Sequence, residues 1–418
     1  MLDIKFIREN PERVKEEIKR RNMKIDLDSF LSLDEKKREL MQKVEALRSQ
    51  QNEANGQMST GRNEELIVRM QKIKMEIGEI EPELKDLEDK TKSILLTLPN
   101  ITHESVPIGP DESGNVVVRT VGEKPKFNFE PKEHFDIESV KDLIDSERGA
   151  RVSGSRFWYL KGDLARMEFS MMQYAFNFYA SKGLTPMIVP MLVREEAMYG
   201  TGFFPADANE IYRVNADEDE LFLVGTSEVA LAAYHMNEIL DLSGGAKQYM
   251  GYSSCFRREA GTYGKDMKGM LRGHQFNKIE MFVFCKPEES WDWHEKLLQY
   301  AEEYLQSLGL CYQVLNMCTG DIGAPNAKKY DIETWLPGQN RFRETNSCSN
   351  DTDFQARRLN CRYTDDQGKK QFVHTINNTG TSDRPLIAIL ENYQQEDGSV
   401  IVPEVLRPIF GKEKIERN

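Results

Sequence analysis

Two stretches in which apolar residues recur at alternating spacings of three and four constrain the fold of this chain most strongly. The first seam consists of Leu33, Leu40, Val44, Leu47, Ala54 and Met58, and the second of Leu66, Met70, Ile73, Ile77, Ile80, Leu84 and Leu87. This period places apolar side chains on one face of a helix. A segment rich in Gly, Ser, Thr and Asn, residues 56–63, separates the seams. The pattern predicts an antiparallel helical hairpin whose first helix reaches roughly 40 Å.

Pro82 lies inside the second seam, where a proline costs about 3 kcal/mol. The apolar register continues on both sides of Pro82, so we expect this helix to bend rather than end. The cations of the hairpin alternate with acids and are Lys36, Lys37, Arg38, Lys43, Arg48, Arg62, Arg69, Lys72 and Lys74. The pattern alone leaves open whether the hairpin is a dimerisation element or spacer with a solvated face, or has a function of its own.

The length and composition of the chain narrow its class. At 418 residues it is too long for one ordinary core, so we expect two or three domains. No apolar run approaches the roughly eighteen residues that span a bilayer, and residues 1–22 lack the apolar core of a signal peptide. The six cysteines form no C-x-x-C pair, which favours reduced thiols. These features predict a cytoplasmic protein.

The chain divides into three parts. Residues 1–100 hold the hairpin, and residues 101–134, rich in Pro, Gly and acids, are typical of a connector. In residues 135–418, helical stretches alternate irregularly with short β-rich runs, namely EIYRV, LFLV, QYMGYSSCF, KIEMFVF and CYQVLNM. Because regular βαβ alternation is lacking, an antiparallel α+β domain is favoured over a doubly wound sheet. The sequence contains no G-x-x-x-x-G-K-[ST] loop, so any ATP site must be built without a P-loop.

Positive charge is concentrated in residues 255–284, although the chain has a net charge of -13. The cations of CFRREAGTYGKDMKGMLRGHQFNKIEMFVF are Arg257, Arg258, Lys265, Lys268, Arg272 and Lys278. Strand alternation puts Arg257 and Glu259 on one face and Arg258 on the other; Glu280 joins the first face if antiparallel strands flank the loop. A glycine-rich cationic loop above such a face suits a polyphosphate, because guanidinium groups bind phosphate oxygens bidentately. A surface ion pair under an exposed hairpin is the alternative.

Two later segments hold further polar candidates. In ETNSCSNDTDFQARR, Glu344 and Ser347 carry oxygens of the kind that hold Mg²⁺ next to phosphates, although such stretches are commonly ordinary loops or strand edges. Arg384 comes just before an apolar helical run, Leu386 to Tyr393. A cation at a helix start is unfavourable for the helix dipole, which points to a functional reason for Arg384.

Together these segments resemble the seryl-tRNA synthetases of bacterial type, over nearly the whole chain. The matching motifs follow the family's order: MLDIKFIRENPERV, the hairpin, VSGSRFWYLKGDLARME, TSEV, CFRREAG…RGHQFNKIE, YDIETWLPGQN, SCSN…DFQARRLN, VHTINNTG and AILENYQQEDGSVIVPEVLRP. The resemblance implies an α+β fold. Residues 1–100 would be an antiparallel coiled-coil hairpin that binds tRNA, residues 101–134 a connector, and residues 135–418 a class II synthetase catalytic domain on a mostly antiparallel sheet with flanking helices.

The resemblance also assigns site residues. It implies ATP contacts for Arg257, Arg258, Glu259, Gly273, Phe276, Glu344, Thr345, Asn346, Ser347 and Arg384. It implies a serine pocket of Thr226, Ser227, Glu228, Arg257, Glu280 and Thr379, and a Mg²⁺ site at Glu344 and Ser347. The residues it implies for catalysis are Arg257, Arg272, Glu280 and Arg384. Arg257 would contact the α-phosphate and Arg272 the γ-phosphate. Glu259 would bind the amino group of adenine. Phe276 would stack on one face of the adenine ring and Arg384 on the other.

The activity implied is that of a serine–tRNA ligase in protein biosynthesis. L-serine would react with ATP, in the presence of Mg²⁺, to give seryl-adenylate and pyrophosphate. Serine would then pass to the 3′ end of tRNA(Ser), and also of tRNA(Sec). The segment TPMIVPMLVREEAMYGTG, which contains Pro190, resembles motif 1 and implies a homodimer. Neither a membrane nor DNA is expected as a partner.

Two alternatives come from other functional classes. The first is a synthetase-like tRNA-binding protein with impaired catalysis. It would explain two departures from the family pattern. One is Asn346 in the metal segment ETNS, and the other is a shortened motif 3, GTSDRPL, which places Asp383 beside Arg384. The other site residues argue against it. A relative that loads amino acids onto a carrier protein would lack the hairpin that this sequence contains.

Overall fold

The structure is a computed structural model that describes residues 1–58, 64–215, 218, 220–260 and 268–417. Most of the predicted turn of the hairpin, including Arg62, and the loop cation Lys265 lie outside the described residues. The chain forms two compact units, one of residues 2–99 and one of residues 100–418 together with Met1. None of the described helices is long and apolar enough to cross a membrane.

The first unit is helical and contains the predicted hairpin. Its helices are α1 (Ile4–Glu9), α2 (Pro11–Arg20), α3 (Leu27–Met58) and α4 (Glu64–Thr97). Val44 and Leu47 of α3 pack against Ile73, Ile77 and Ile80 of α4, so the two predicted seams face each other. Burial of this shared stripe is the main stabilising interaction of such a pair.

Charged pairs also cross the hairpin, joining Lys36 to Glu83, Lys43 to Glu76 and Arg48 to Glu81. In the first two pairs a higher residue number on α3 meets a lower one on α4, as in an antiparallel hairpin. Helix α4 continues through Pro82 without a break, as the uninterrupted apolar register predicts.

The second unit combines helices with a large sheet. Its helices are α5 (Ser146–Ser153), α6 (Gly162–Ser181), α7 (Glu195–Thr201), α8 (Glu228–Ala233), α9 (Ser290–Ser307), α10 (Phe354–Leu359), α11 (Asp383–Asn392) and α12 (Arg407–Phe410). Its strands are β1 (Val116–Val121), β2 (Ile144–Asp145), β3 (Tyr159–Leu160), β4 (Thr185–Ile188), β5 (Leu192–Arg194), β6 (Arg213–Val214), β7 (Leu221–Leu223), β8 (Ile239–Leu240), β9 (Lys247–Phe256), β10 (Gln275–Cys285), β11 (Tyr312–Asn316), β12 (Lys328–Leu336), β13 (Arg341–Thr352), β14 (Arg362–Thr364), β15 (Lys370–Phe372), β16 (His374–Ser382), β17 (Val400–Ile401) and β18 (Lys414–Ile415).

The main sheet of this unit has the order β1-β11-β12-β13-β16-β10-β9-β4 within the described residues. Its neighbouring strands pair antiparallel except for β4 and β9, which are parallel. The other strands form small sheets, β15-β14-β8, β5-β7-β6, β2-β3 and β17-β18. The predicted α+β fold, a helical hairpin followed by a mostly antiparallel sheet with flanking helices, is confirmed.

One face of the main sheet is apolar and covered by helices. Ile279, Met281 and Val283 of β10 are fully buried there in one core with Met171 of α6 and Leu297 of α9. These are the β10 residues for which strand alternation predicts an apolar face. Lys278 and Glu280 alternate with them and therefore point to the opposite face, where the candidate site lies.

Candidate active site

A β-bulge in β13 brings the two predicted metal ligands onto one face of the sheet. Glu344 and Ser347 are three residues apart, so a regular strand would point them to opposite faces. In the ladder with β12, Ile332 pairs with Asn346 but Glu333 pairs with Glu344, which leaves Thr345 as an extra residue. Such a bulge restores a common direction for the residues on either side of it. Glu344 and Ser347 consequently line the same cleft.

A second bulge, in the neighbouring strand β16, has the same effect. Ile279 of β10 pairs with Thr381 and Glu280 pairs with Thr379, so Gly380 is the extra residue. Thr379 and Ser382 therefore both face the cleft. A Cβ at Gly380 would lie 2.7 Å from the ring of Tyr179, whose hydroxyl donates a hydrogen bond to the Gly380 carbonyl. The bulge thus depends on a position where glycine alone fits without displacing the core.

An open cleft of about 100 Å³ lies between these strands and the segment after β9. Its lining residues are Arg257, Glu259, Met270, Leu271, Arg272, Gly273, Phe276, Lys278, Glu344, Thr345, Ser347, Thr379, Ser382, Asp383 and Arg384. Most of the residues predicted for ATP binding are among them. The Arg257 guanidinium lies 5.3 Å from the centre of the Phe276 ring, and its Nε donates to the carbonyl of Gly225 at 3.1 Å.

Two ion pairs lie inside the cleft. Glu259 Oε2 accepts from Arg272 Nη1 at 2.7 Å, and Glu344 Oε2 accepts from Arg384 Nη1 at 2.9 Å. Burial would raise the pKa of Glu344, but the charges of Arg384, Lys329 and Arg257 outweigh it and lower this pKa to about 2. Glu344 is therefore ionised at neutral pH, as a ligand for a hard cation must be.

Arg272 retains a hydrogen-bond donor for a further partner. Its Nε is buried and has no hydrogen-bond partner within the described residues. Leaving a buried donor unpaired is costly, so such groups commonly mark a binding position. An anion that accepts from this Nε–H would satisfy it.

Lys278, which lines the cleft, belongs to a buried charged cluster. Lys278 Nζ forms an ion pair with Glu280 Oε2 and donates to Thr226 Oγ1 at 3.1 Å. The Thr226 hydroxyl in turn lies 3.4 Å from Glu280 Oε2. Burial raises the pKa of Glu280, while Lys278, Arg257 and Thr226 oppose the shift. The predicted serine-binding residues Thr226 and Glu280 are thus joined through Lys278.

Glu228, also predicted to bind serine, lies at the start of α8. Its Oε1 accepts from Gln355 Nε2 at 2.8 Å and lies 3.4 Å from Asn377 Nδ2. Burial, together with Asp351 and Glu280, raises the pKa of Glu228 to about 8. Glu228 is therefore mostly protonated at neutral pH.

Six predicted site residues do not line the cleft: Thr226, Glu228 and Glu280, which belong to the cluster around Lys278, and Arg258, Ser227 and Asn346. Arg258 lines a separate groove with Tyr212, Arg213 and His274, as strand alternation requires for the neighbour of Arg257. The buried hydroxyl of Ser227 lies 3.0 Å from that of Ser253. The side chain of Asn346 does not line the cleft. Its amide instead donates to the carbonyls of Thr379 and Gly380 in the neighbouring strand β16.

Sequence reasoning assigned no role to Lys278, Ser382 or Asp383, although all three line the cleft. The strand period had already placed Lys278 beside Glu280, which was the available signal. Asp383 does not take Arg384 from the cleft, because its carboxylate accepts from the backbone N–H of Asn277 at 3.0 Å. Burial and the nearby Glu168 raise the pKa of Asp383 well above its usual value.

The predicted Mg²⁺ ligands suit a cation shared with a phosphate-bearing ligand. Glu344 and Ser347 supply oxygen donors, which Mg²⁺ prefers. The described residues contain no group of three or more His, Cys, Asp or Glu arranged around a cation. The chain therefore fits the partial coordination in which Mg²⁺ is held by one or two side chains and completed by phosphates and water.

Two family models match the chain. Residues 1–102 match the seryl-tRNA synthetase N-terminal domain, and residues 212–393 match the class II tRNA synthetase core domain (G, H, P, S and T). Serine–tRNA ligase of Thermodesulfovibrio yellowstonii is 45% identical over 98% of this chain and 99% of that protein. Serine–tRNA ligase of Corynebacterium efficiens is 45% identical over 100% of this chain and 99% of its own length.

Solved structures extend the similarity to three dimensions. The seryl-tRNA synthetase of Pyrococcus horikoshii, in complex with ATP, superposes with a TM-score of 0.91 at 41% identity and covers 100% of both chains. The cytoplasmic serine–tRNA ligase of Naegleria fowleri, in complex with AMP, superposes with a TM-score of 0.87 at 36% identity, covering 100% of this chain and 99% of its own.

Proposed function

The chain belongs to the seryl-tRNA synthetases, the class II ligases that join serine to tRNA, and we propose that its cleft activates L-serine with ATP before the transfer. The observation that carries the proposal is one cleft lined by Arg257, Arg272, Arg384 and Lys278, whose ammonium group pairs with the buried carboxylate of Glu280. Three guanidinium groups suit a triphosphate, and a carboxylate beside them suits the ammonium or hydroxyl group of serine.

ATP is proposed to lie with its adenine between Phe276 and Arg384. Arg257 would contact the α-phosphate and Arg272 the γ-phosphate, with Glu259 at the adenine amino group. The pairs Glu259–Arg272 and Glu344–Arg384 would then open, since both arginines and both carboxylates gain new partners. The cleft is thus charge-balanced before ATP enters, which limits the cost of keeping guanidinium groups together. Arg258 and Asn346, which lie elsewhere, take no part in this arrangement.

The first step needs charge neutralisation more than proton transfer. The serine carboxylate attacks the α-phosphorus of ATP in line; its oxygen forms the new P–O bond, and pyrophosphate leaves with the electrons of the broken one. Since the nucleophile is already ionised, no general base is required, and Arg257 and Arg272 act by positioning and by stabilising phosphate charge. Glu344 and Ser347 would hold Mg²⁺, which when bound would neutralise further phosphate charge.

Serine is proposed to bind over Thr226, Glu228, Glu280 and Thr379. Lys278 opposes the rise that burial causes in the pKa of Glu280 and donates to the Thr226 hydroxyl, so the pocket is arranged before serine arrives. A site that bonds the serine hydroxyl leaves buried polar groups unpaired when alanine or glycine binds, and such rejection can be large. Ser227 would support the pocket from behind through its contact with Ser253.

In the second step, a ribose hydroxyl of the terminal adenosine attacks the seryl carbonyl and releases AMP. We propose tRNA(Ser) as the acceptor, and tRNA(Sec) as a second one, bound through the hairpin of residues 1–100. Several hairpin cations already form ion pairs with acids. Arg69, Lys72 and Lys74 instead form an exposed cationic stretch of α4, which suits contacts with phosphate backbone.

We also propose a homodimer through the motif 1 region. Phe169 of α6 and Ile188 of β4 are about four-fifths exposed, and Leu192 of β5 lies nearby in sequence with an exposed side chain. Strand β4 is an edge of the main sheet. Large apolar side chains on an open edge are typical of a surface that another chain covers. Light scattering at twice the chain mass would support this assembly.

The direct test of the activity has two parts. Pyrophosphate exchange is measured with each amino acid in turn, followed by transfer to tRNA(Ser) and tRNA(Sec) transcripts. We expect exchange with serine and charging of tRNA(Ser). Absence of serine-dependent exchange would contradict the enzymatic proposal, whereas exchange without charging of any transcript would favour the impaired synthetase-like protein.

A further inference from the structure

A buried histidine–glutamate pair holds the segment that leads into the cleft. His134 and Glu391 are fully buried, and His134 Nδ1 lies 3.1 Å from Glu391 Oε1. On the other side of the ring, the backbone N–H of Met270 donates to His134 Nε2 at 2.9 Å. Because a backbone N–H can only donate, Nε2 is the accepting nitrogen, and Nδ1 carries the proton that faces Glu391.

Further hydrogen bonds hold the pair and its two chain segments in place. Glu391 Oε1 also accepts from the backbone N–H of His134 at 3.1 Å, and Glu391 Oε2 accepts from that of Gly338 at 3.0 Å. Just beyond α11, Gln394 exchanges two hydrogen bonds with the backbone of Lys132, at 2.8 and 2.9 Å. The imidazole therefore has one available orientation.

The end of the cationic loop, at Gly269 and Met270, packs directly against this imidazole. Gly269 has a φ of +71°, and a Cβ there would lie 2.2 Å from His134 Nε2 and 2.5 Å from the ring of Phe135. The next three residues, Met270, Leu271 and Arg272, all line the cleft. The place of Arg272 thus depends on the contact that Met270 makes two residues earlier.

We propose that His134 and Glu391 are positioning residues for nucleotide binding, which act by holding Met270 so that Arg272 meets the polyphosphate of ATP. This inference rests on the proposed function of the cleft. Without the imidazole acceptor, the buried N–H of Met270 has no partner, and this end of the loop must shift to satisfy it. Arg272 would then lose the preorganisation that makes a guanidinium–phosphate contact strong. The serine pocket, built from α8 and the sheet, keeps its own contacts.

The test compares three variants with the parent chain. His134→Phe keeps a ring but removes both nitrogens, and His134→Gln supplies an amide oxygen as a replacement acceptor. The matched control is His294→Phe, because His294 is also fully buried, bonds the Cys348 carbonyl at 3.1 Å and stacks on Tyr330. The dissociation constant of a nonhydrolysable ATP analogue is measured by calorimetry, and the serine KM in pyrophosphate exchange at saturating ATP.

We expect His134→Phe to weaken analogue binding about tenfold with a serine KM within about twofold of the parent. His134→Gln should recover most of the loss, and His294→Phe should leave both constants unchanged. Unaltered analogue binding by His134→Phe, or equal losses for the analogue and serine, would overturn the proposal. Analogue binding does not require serine chemistry, so a parent chain that lacks serine-dependent exchange would contradict the proposed function while still allowing this comparison.

If His134→Phe does not fold, Gly269→Ala decides the question. Its added methyl group acts on the same contact from the loop side, at a partly exposed position. We expect the same selective weakening of analogue binding, and unchanged analogue binding by Gly269→Ala would overturn the proposal. A parent chain that fails to bind the analogue would overturn both proposals.

Discussion

Lys278 lines the cleft and connects it to two buried polar residues of the proposed serine pocket. Its ammonium group pairs with the buried carboxylate of Glu280 and donates to Thr226. We predict that Lys278→Met raises the serine KM about a hundredfold, because removing one partner of a buried ion pair costs about 3–5 kcal/mol or forces the other to become neutral. ATP-analogue affinity should stay within about threefold. Both constants come from exchange kinetics and calorimetry.

The control for this prediction is Lys328→Met. Lys328 is a nearly buried strand lysine of β12 that lies over the Tyr330 ring, 4.6 Å from its centre. Its loss should leave the serine KM close to that of the parent. A comparable rise of the serine KM in both variants would mean that general destabilisation, rather than the Lys278–Glu280 pair, sets serine affinity.

We predict that Glu228 makes serine binding depend on pH. Its pKa is raised to about 8 by burial, by Asp351 and by Glu280, so the free protein carries a proton there at pH 7. A bound serine ammonium favours the carboxylate form, lowers this pKa and releases the proton. Since binding then releases a proton, serine affinity should rise between pH 6 and 8, by up to about tenfold per unit. Calorimetry across this range checks the slope, and Glu228→Gln should flatten it; a flat profile in the parent would rule out this role.

At the residue scale, the sequence predicted the identity of most cleft residues but not their supporting contacts. Arg257, Arg272, Phe276 and Glu344 follow from motif resemblance, and the structure brings them to one cleft. The role of Lys278 was not predicted because a lysine on a strand is usually a solvated surface residue. Only the three-dimensional contact with Glu280 shows that its charge is buried.

At the scale of single elements, the two β-bulges decide which side chains reach the cleft. We predict that Gly380→Ala destabilises the second unit by about 1–3 kcal/mol, since the added Cβ would lie 2.7 Å from the Tyr179 ring. Exchange activity should fall as well, because Thr379 and Ser382 lose their common direction. Urea denaturation followed by a probe in the second unit, together with exchange assays, measures both effects.

Gly78 provides the matched control within the first unit. It lies in the middle of α4 on the exposed side of the helix, where a new Cβ would meet nothing within 4 Å. Gly78→Ala should stabilise that helix by about 0.5–1 kcal/mol without changing exchange. If Gly380→Ala left the stability of the second unit and the exchange activity unchanged, the bulge in β16 would not depend on glycine.

The same elements show why part of the fold could not be predicted. Strands β13 and β16 lie in the middle of the main sheet, yet RFRETNSCSNDT and HTINNTGTS lack the apolar character of central strands. Several of their buried amide N–H groups donate to helix carbonyls, as when Asn378 bonds the Leu297 carbonyl and Asn350 that of Ser290. The period of apolar residues reports burial against a core, and it does not detect strands whose polar side chains are satisfied in this way.

At the scale of the whole molecule, we propose that the helical hairpin and the catalytic unit have separate tasks. We predict that deletion of Gln51 to Glu65 leaves serine-dependent exchange within about twofold of the parent but lowers charging of tRNA(Ser) by at least about tenfold. In this proposal exchange uses the cleft alone, whereas charging needs the exposed cations of the hairpin to hold the tRNA. Parallel exchange and charging assays test this; equal loss of both steps would contradict the division.

The hairpin was also the most predictable part of the molecule. Its seams are local in sequence, so a period of three and four residues was enough to predict two helices that face each other, and Val44 and Leu47 do pack with Ile73 and Ile77. The cleft was harder to predict. Its residues come from β10, β13, β16 and α11, which lie far apart in the sequence. Resemblance to a family predicted which residues meet there, since no local pattern encodes such a meeting.

The central claim is that one face of the segment after β9 binds ATP, and Arg257 and Arg258 test it most directly. They are adjacent and identical in type, but Arg257 lines the cleft and Arg258 lines a separate groove. The measurement is serine-dependent pyrophosphate exchange by Arg257→Ala and by Arg258→Ala. The account predicts a loss of at least about a thousandfold for Arg257→Ala and of less than about threefold for Arg258→Ala. Similar losses in both variants, or a larger loss for Arg258→Ala, would contradict it.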